Sequence, residues 1–138
     1  MTAVAVTAAQ VGVCDPMKAV IYPFEAAETI TAGQPVFVDT NGKVQLADAN
    51  GSGEQQCAGI ALNGGGAGQA IDVLKSGRVY GYTLGGAYWS AVYLSDSVGE
   101  LADAAGTMTV PVGRVVPLSN SDKTKVLAVE INWSTVWA

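Results

Sequence analysis

Short β-prone runs separated by glycine are the feature that most constrains how this sequence can fold. The chain has 17 glycines in 138 residues, and they interrupt nearly every stretch before a helical period of apolar residues can develop. We expect strands at residues 19–24, 28–30, 34–39, 43–47, 57–62, 70–74, 78–84, 91–95, 107–110, 113–118 and 125–133. About ten short strands with frequent glycine turns predict an all-β fold, a sandwich or a barrel.

One hairpin is predicted with particular clarity. The runs 34–39 and 43–47 are β-prone, and Thr40, Asn41 and Gly42 separate them. An Asn-Gly pair between two such runs favours a tight β-turn, because both residues tolerate a positive φ.

A weak internal repeat has an offset of about 55 residues. The sequence VFVD at 36–39 resembles VYLS at 92–95, and an Ala-Asp-Ala follows each of them, at 47–49 and at 102–104. A glycine within an apolar run comes next in both copies, at Gly59 and at Gly113. Two copies are too few for a solenoid, so we predict two similar β-motifs within one body.

Charge and hydropathy argue against two classes of partner. The formal charge is −5, and the seven basic residues are scattered rather than gathered in a stripe that would neutralise phosphates. No apolar run approaches the length of a membrane-spanning helix, and residues 1–13 do not resemble a secretory signal. We therefore expect no nucleic-acid or membrane partner, synthesis in the cytoplasm, and Cys14 and Cys57 as free thiols, although a disulfide between them stays open.

No catalytic, cofactor or metal site is predicted. Histidine is absent, and with it the commonest general base and transition-metal ligand. The glycine cluster at 64–68 is followed by Gln69 and Ala70, not by the Gly-Lys-Ser/Thr of a phosphate loop. We expect a protein that is not an enzyme and needs no cofactor.

The candidate functional residues are therefore those of an interaction surface. Residues 1–17 have no clean period, and we interpret them as an extended N-terminal arm ahead of a single β domain at 18–138. Aromatic residues in an expected loop and next to the C-terminus are typical of interface cores. The interface candidates are Val4, Val6, Val11, Val13, Tyr88, Trp89 and Trp137.

The order of turns and strand starts resembles that of the capsid decoration (cement) proteins of tailed bacteriophages. The resemblance is carried by ITAGQPVFV at 30–38, GKV at 42–44, AGIA at 58–61, GRV at 77–79, VYL at 92–94 and GRV at 113–115. It implies a jelly-roll-like or tulip-like β fold on the outer surface of the virion, as a homodimer or homotrimer. It also implies that the chain clamps adjacent subunits of the major capsid protein. No site residues carry over, since the matching motifs are structural.

Two other classes of function stay open at this point. One is a phage or cell-surface binding module for carbohydrate or a receptor, in which Tyr88 and Trp89 form a stacking platform. The other is an enzyme of unfamiliar type, which would need a cleft with convergent polar groups.

Overall fold

The computed structural model describes residues 3–51 and 53–137 and contains twelve strands and two single-turn 3-10 helices in that part of the chain. The 3-10 helices are Ala8–Gln10 and Pro16–Lys18. The strands are β1 Ala3–Val6, β2 Gly12–Val13, β3 Val20–Ala26, β4 Pro35–Val38, β5 Lys43–Leu46, β6 Cys57–Ala61, β7 Ala70–Tyr80, β8 Tyr82–Thr83, β9 Ala91–Leu94, β10 Leu101–Ala102, β11 Pro111–Pro117 and β12 Lys125–Glu130. The all-β prediction is confirmed.

The strands form one mixed sheet that curls into two circuits with β7 in common. In the first circuit, β3, β5, β4, β6 and β7 pair in that order, and β7 pairs again with β3. The second circuit runs from β7 through β12, β11, β9, β10 and β1 to β8. Because β8 continues β7 beyond Gly81, this circuit is also closed by the chain itself. Closure leaves less sheet edge that could pair with other chains, although the first part of β3 keeps one open side.

Each circuit has its own buried cluster. The smaller one holds Val36, Val44, Ala61, Ile71 and Val73 together with Ala26 and Ile30. The larger one is built mainly from the second circuit, with Val92, Leu94, Leu101, Val112 and Leu127 among its members. Most of these side chains are Val, Ile, Leu or Ala, so the core is filled largely by alternating strand residues of medium size.

Strand β7 differs from the prediction because the expected turn at 75–77 is absent. The eleven residues from Ala70 to Tyr80 form one continuous strand. Its first half pairs with β3 and β6, and its second half pairs with β2 and β12. Pairing with neighbouring strands keeps this stretch in the sheet although Gly77 has a φ of 143° and the local sequence favours a turn.

The predicted repeat corresponds to two motifs with the same pairing order. In the first motif, β4 lies between β5 and β6, and β6 pairs with β7. In the second motif, β9 lies between β10 and β11, and β11 pairs with β12. The two motifs meet through main-chain hydrogen bonds, since the N–H of Ala49 donates to the carbonyl of Ser95 at 2.8 Å and the N–H of Gly99 donates to that of Ala47 at 2.9 Å.

A glycine has the same role in each motif. Gly59 pairs with Val36 beside a register shift, and Gly113 pairs with Val92 beside another. A Cβ at Gly59 would lie 2.3 Å from the carbonyl oxygen of Leu74, and a Cβ at Gly113 would lie 2.0 Å from that of Ala128. Only glycine permits this approach of the next strand's backbone.

The predicted 34–47 hairpin is confirmed as β4 and β5. The turn is organised by Asp39, whose Oδ1 accepts hydrogen bonds from the N–H groups of Asn41 at 2.9 Å and Lys43 at 3.0 Å. Oδ2 of the same carboxylate accepts a bond from Nε2 of Gln45 at 2.8 Å. An Asp that bonds the backbone two residues ahead is a common turn device.

The N-terminal segment is extended but lies against the body of this chain. Met1 and Thr2 of the expected 1–17 arm are outside the described residues; from Ala3 onward, β1 pairs with β10 and β8, and β2 pairs with β7. The segment adds short strands to the second circuit, which is one reason why there are twelve strands and not about ten. Val4, Val11 and Val13 of this segment pack against buried residues of the larger cluster.

Candidate interaction surfaces

Strand β3 exposes apolar side chains to an unusual degree. Val20, Ile21 and Tyr22 are all exposed, and 41% of the Tyr22 side chain is accessible. Pairing with β5 begins only at Glu25, so the first part of β3 has β7 on one side only. Pro23 lies within this edge and lacks an N–H, which limits uncontrolled strand addition.

The exposed apolar residues of β3 continue into a groove below the C-terminal segment. The ring centroids of Tyr22 and Trp133 are 4.8 Å apart, and Nε1 of Trp133 donates a hydrogen bond to the carbonyl of Ala58 at 2.8 Å. The groove has a volume of about 550 Å³. Its described lining is Phe24, Val38, Gln56, Cys57, Ala58, Asn132, Trp133, Thr135, Val136 and Trp137.

None of these lining residues is charged. Val136 is 77% exposed and projects from the rim. At the edge of the groove, Nζ of Lys75 lies 5.4 Å from the Trp133 ring centroid. We call the surface formed by these lining residues and the adjacent Tyr22 the apolar groove. Contiguous apolar surface of this kind marks contacts with other proteins more often than it faces water.

The C-terminal segment that borders the apolar groove is tied to the body. The N–H of Trp137 donates to Oε1 of Gln56 at 3.1 Å. The carbonyl of Trp137 accepts hydrogen bonds from the side-chain amides of Gln55 and Gln56. Trp137 is half-buried and packs against the larger core cluster. This predicted interface residue therefore forms one wall of a groove instead of projecting freely.

Tyr88 and Trp89, also predicted as interface residues, lie in the loop before β9. Trp89 is 65% exposed, and its backbone has a φ of 70°. Such a conformation costs about 1–3 kcal/mol for a residue with a bulky side chain and persists only where neighbours hold it. Here its N–H donates to the carbonyl of Val115 at 2.6 Å.

Arg114 fixes the Trp89 side chain from the adjacent strand. Its Cζ lies 4.8 Å from the Trp89 ring centroid, and its Nη1 donates to the Trp89 carbonyl at 2.7 Å. Beside the pair is a shallow groove of about 310 Å³ lined by Trp89, Ala91, Pro111, Gly113, Arg114, Ala128 and Glu130. We call this surface the Trp89 groove.

Tyr88, the other aromatic residue of this loop, makes contacts of its own. Its hydroxyl donates to the carbonyl of Lys123, and Nζ of Lys125 lies 5.5 Å from its ring centroid. Nζ of Lys125 also donates to the carbonyl of Gly86 at 2.7 Å. These contacts hold the loop in place, so that both aromatic residues are presented on a rigid support.

The four valines predicted as arm contacts have different environments. Val4, Val11 and Val13 are half-buried and pack against the larger core cluster, and Val6 is exposed. Residues Ala3–Ala5 and the loop around Gly85 and Gly86 border one further groove of about 510 Å³. The structure thus brings the N-terminal segment close to the Tyr88–Trp89 loop, while the apolar groove is formed by other elements.

Two carboxyl groups share a partly enclosed position next to the first motif. Asp48 is buried, and its Oδ2 accepts no hydrogen bond from the described residues. A proton on Glu54 can supply that missing bond, and this hydrogen bond is the main reason why the pKa of Glu54 is raised to about 7. Burial and the negative charges of Asp48 and Glu28 raise the pKa in the same direction. In residues 3–51 and 53–137, no group of three potential ligands forms a metal site.

Tyr22, Val136, Arg114 and Trp133 were not among the interface residues predicted from the sequence. Alternation along 125–133 places Trp133 on the same face as Leu127, Val129 and Ile131, which are buried. The strand ends at Glu130, so alternation no longer applies three residues later, and Trp133 is exposed. The exposure of Trp133 could have been predicted only by recognising that the strand ends before this residue.

The cysteines are both free, as expected: Cys14 is half-buried and Cys57 is buried. Burial raises the pKa of the Cys57 thiol to about 12, so it is unreactive in the folded chain.

Comparison with known proteins adds no family to these observations. No protein-family model matches the sequence, and no curated protein is significantly similar to it. Among the described residues, no helix is long and apolar enough to cross a membrane.

Proposed function

We propose that this chain is a structural capsid cement (decoration) protein of a tailed bacteriophage. It binds the outer surface of the phage head and clamps adjacent subunits of the major capsid protein. It is made in the host cytoplasm, functions on the virion as a homodimer or homotrimer, and performs no catalysis.

The observation that carries the proposal is the apolar groove. Tyr22, Trp133 and Val136 are large, exposed and adjacent to an uncharged lining. A protein that works alone in water has little use for such a surface, whereas a protein that is permanently covered gains stability by burying it.

We assign the apolar groove to the second copy of the chain. Each copy carries a formal charge of −5, so two copies repel each other wherever acidic surfaces meet. The groove's described lining carries no charge, and it therefore allows identical surfaces to approach without opposing like charges. Permanent homo-oligomer interfaces are apolar in the same way.

The architecture is also suited to resisting mechanical load. Two closed circuits share one long strand, and the side chains of Gln55 and Gln56 hold the main chain of Trp137. A cement protein adds bridging contacts between neighbouring subunits, and those contacts require buried area in symmetric copies rather than reactive groups.

The proposal is tested by co-sedimentation of the purified chain with expanded heads of its phage. We expect saturable binding at a fixed ratio of copies to major capsid subunits, and a raised threshold for head rupture in low-salt shock. A well-folded chain that fails to sediment with the heads would refute the proposal.

The Trp89 groove favours one alternative, a carbohydrate-binding module. An exposed tryptophan next to Arg114 and Glu130 offers a stacking surface and polar groups for hydroxyls. A glycan array distinguishes the two functions: a specific hit that is lost in Trp89→Ala would support the module, and an array without hits would reject it.

A further inference from the structure

We propose that the Trp89 groove is a recognition site for an extended protein segment that carries an acidic side chain and, two residues away, a basic one. The identity of the partner rests on the proposed function: the segment then belongs to the major capsid subunit beneath the cement protein. The chemistry of the site stands on the structure of this chain alone.

The floor of the groove admits a main chain. Ala91, Gly113 and Ala128 form it with only one methyl group or none beyond the backbone, and Pro111 borders it. The sheet surface between Trp89 and Glu130 is therefore shallow. A second chain in an extended conformation can approach the strands closely there, while its alternate side chains reach the groove's ends.

One end of the groove presents a positive charge in a fixed position. The guanidinium of Arg114 stacks on Trp89 and uses one of its five N–H groups to bond the Trp89 carbonyl. Arg114 is exposed, and no carboxylate in residues 3–51 or 53–137 forms an ion pair with it. The remaining donors are free to bind a carboxylate, and the stacking has already restricted the side chain's rotamers.

The other end presents a negative charge. Glu130 lies on β12 two residues beyond Ala128, which is the residue paired with Arg114. Positions two apart on a strand share a face at a spacing of about 7 Å. The two charges do not form an ion pair with each other. A segment with opposite charges at the same spacing matches both ends at once.

Trp89 has the features of an interface anchor. Its side chain is exposed while its backbone is held in a strained conformation by Val115 and Arg114. Rigid tryptophans and arginines are the residues that dominate binding energy in protein interfaces. A role in binding would explain why the fold maintains this backbone strain at the exposed Trp89.

The mixed charge separates this surface from a site for nucleic acid. A single strand binds to a track of cations with stacked bases, whereas Glu130 would repel the phosphates next to Trp89. The same polarity gives the segment a single favourable alignment, with its carboxylate at Arg114.

The test is a titration of the full ¹⁵N-labelled chain with two capped threonine-based pentapeptides, followed through the indole N–H resonance of Trp89. One peptide carries Glu and Lys two residues apart, and the other carries Gln at both positions. We expect the Glu/Lys peptide to shift the Trp89 resonance and to bind at least about tenfold more tightly than the Gln/Gln peptide. Equal binding, or no shift with either peptide, would overturn the proposal.

Three variants test the assignment of the two ends. Arg114→Gln and Glu130→Gln should each weaken Glu/Lys binding about tenfold, and Arg114→Lys should fall in between because lysine lacks the planar fork. The matched control is Lys123→Gln, which removes one exposed charge outside the groove and should leave binding unchanged. Loss in Lys123→Gln equal to that in Arg114→Gln would indicate only a general charge effect and reject the site.

Further measurements separate this inference from the proposed function. If wild-type protein sediments with heads and Arg114→Gln sediments equally well, the capsid subunit is not the segment's source. If the chain binds the peptide but does not bind heads, the recognition site is supported and the cement role is refuted. If a neutral oligosaccharide shifts Trp89 and the peptides do not, the groove belongs to a carbohydrate-binding module and the proposal is wrong.

Discussion

The two β-motifs have the same pairing order but present different chemistry to the outside. Both place a central strand between a hairpin partner and a strand with a bulge glycine, Gly59 in the first and Gly113 in the second. Beside the first motif lies the uncharged apolar groove, and beside the second lies the Trp89 groove with Arg114 and Glu130. Pairing order thus depends on features common to both copies, while surface chemistry depends on a few outward residues.

The same contrast exists at the acidic residue of each Ala-Asp-Ala. Asp48 is buried next to Glu54, whereas Asp103 is exposed. The alanines that precede the aspartates, Ala47 and Ala102, are both fully buried, whereas Ala49 is buried and Ala104 is exposed. The shared pattern therefore places only the first alanine in the core, and the surrounding loops determine how solvated the carboxylate and the second alanine are.

The largest effect is expected from adding one methyl group at either bulge glycine. In Gly113→Ala or Gly59→Ala the new Cβ overlaps a carbonyl oxygen of the next strand, and we expect each to destabilise the fold by about 3 kcal/mol or more. Urea unfolding measures both. The control is Gly85→Ala, where nothing lies within 4 Å of the new atom. A mild effect at one of the two bulge glycines would show that the motifs are not equivalent.

The second prediction concerns self-association through the apolar groove. Val136→Asp places a charge at the groove's exposed rim, and we expect the dissociation constant of the homo-oligomer to rise at least about tenfold. Sedimentation equilibrium measures it. Val98→Asp is the matched control, since Val98 is 52% exposed in the turn of the second motif and outside the groove. Equal weakening by both variants would contradict the assignment of this surface.

The third prediction uses the carboxyl pair of the first motif, the buried Asp48 and the partly exposed Glu54. Folding raises the pKa of Glu54 from 4.5 to about 7, so the folded state binds an extra proton between those values. The contribution of Glu54 to stability is therefore fully present below pH 4.5 and is lost as pH rises through 7.

In Glu54→Gln this pH dependence should disappear. Thermal unfolding at pH 5 and pH 8 measures it, and the difference between the two midpoints should be smaller in the variant. The exposed Glu100 in the second motif supplies the control variant, Glu100→Gln. An unchanged pH profile in Glu54→Gln would mean that the pair does not share a proton.

The smallest effect is expected at the turn residues that correspond in the two motifs. Asp39 accepts hydrogen bonds from Gln45, Lys43 and Asn41. These bonds lower the pKa of Asp39 below 3.8, and the bond from Gln45 has the largest effect. Ser95 accepts one such bond from the N–H of Ser97 at 3.1 Å.

The stabilising effect of Asp39 is present above pH 3.8 and lost as pH falls below that value. Asp39→Ala should lower the unfolding midpoint at pH 7, and its difference from the wild type should shrink as pH falls below 3.8. The difference between Ser95→Ala and the wild type should not vary with pH in this range. A pH-independent loss in Asp39→Ala would refute the role of the charge.

Much of the strand content could be predicted because it depends on neighbours in sequence. The 34–47 hairpin follows from Asp39, Asn41 and Gly42, and the repeat follows from similar short motifs. The expected strands at 28–30 and 107–110 did not form; only Ile30 makes an isolated bridge, to Gly65. These apolar runs are short, and nothing local distinguishes a strand from a buried loop of the same composition.

The candidate surfaces were predicted only in part. Tyr88, Trp89 and Trp137 were identified because aromatic residues near turns and chain ends stand out in a sequence. Tyr22 and Trp133 meet across 111 positions of sequence, and Arg114 reaches Trp89 from a strand 25 residues later. No periodic pattern encodes such contacts.

The all-β class, the hairpin and the two related motifs follow from local sequence, because turn chemistry, β-propensity and glycine placement act over a few residues. Long-range packing sets three other features: β7 runs unbroken through both circuits, the N-terminal segment joins the second circuit, and Asp48 is buried while Trp133 is exposed. Those outcomes depend on which distant strands pair, and pairing is chosen by the burial and hydrogen bonding of the whole sheet rather than by any one segment.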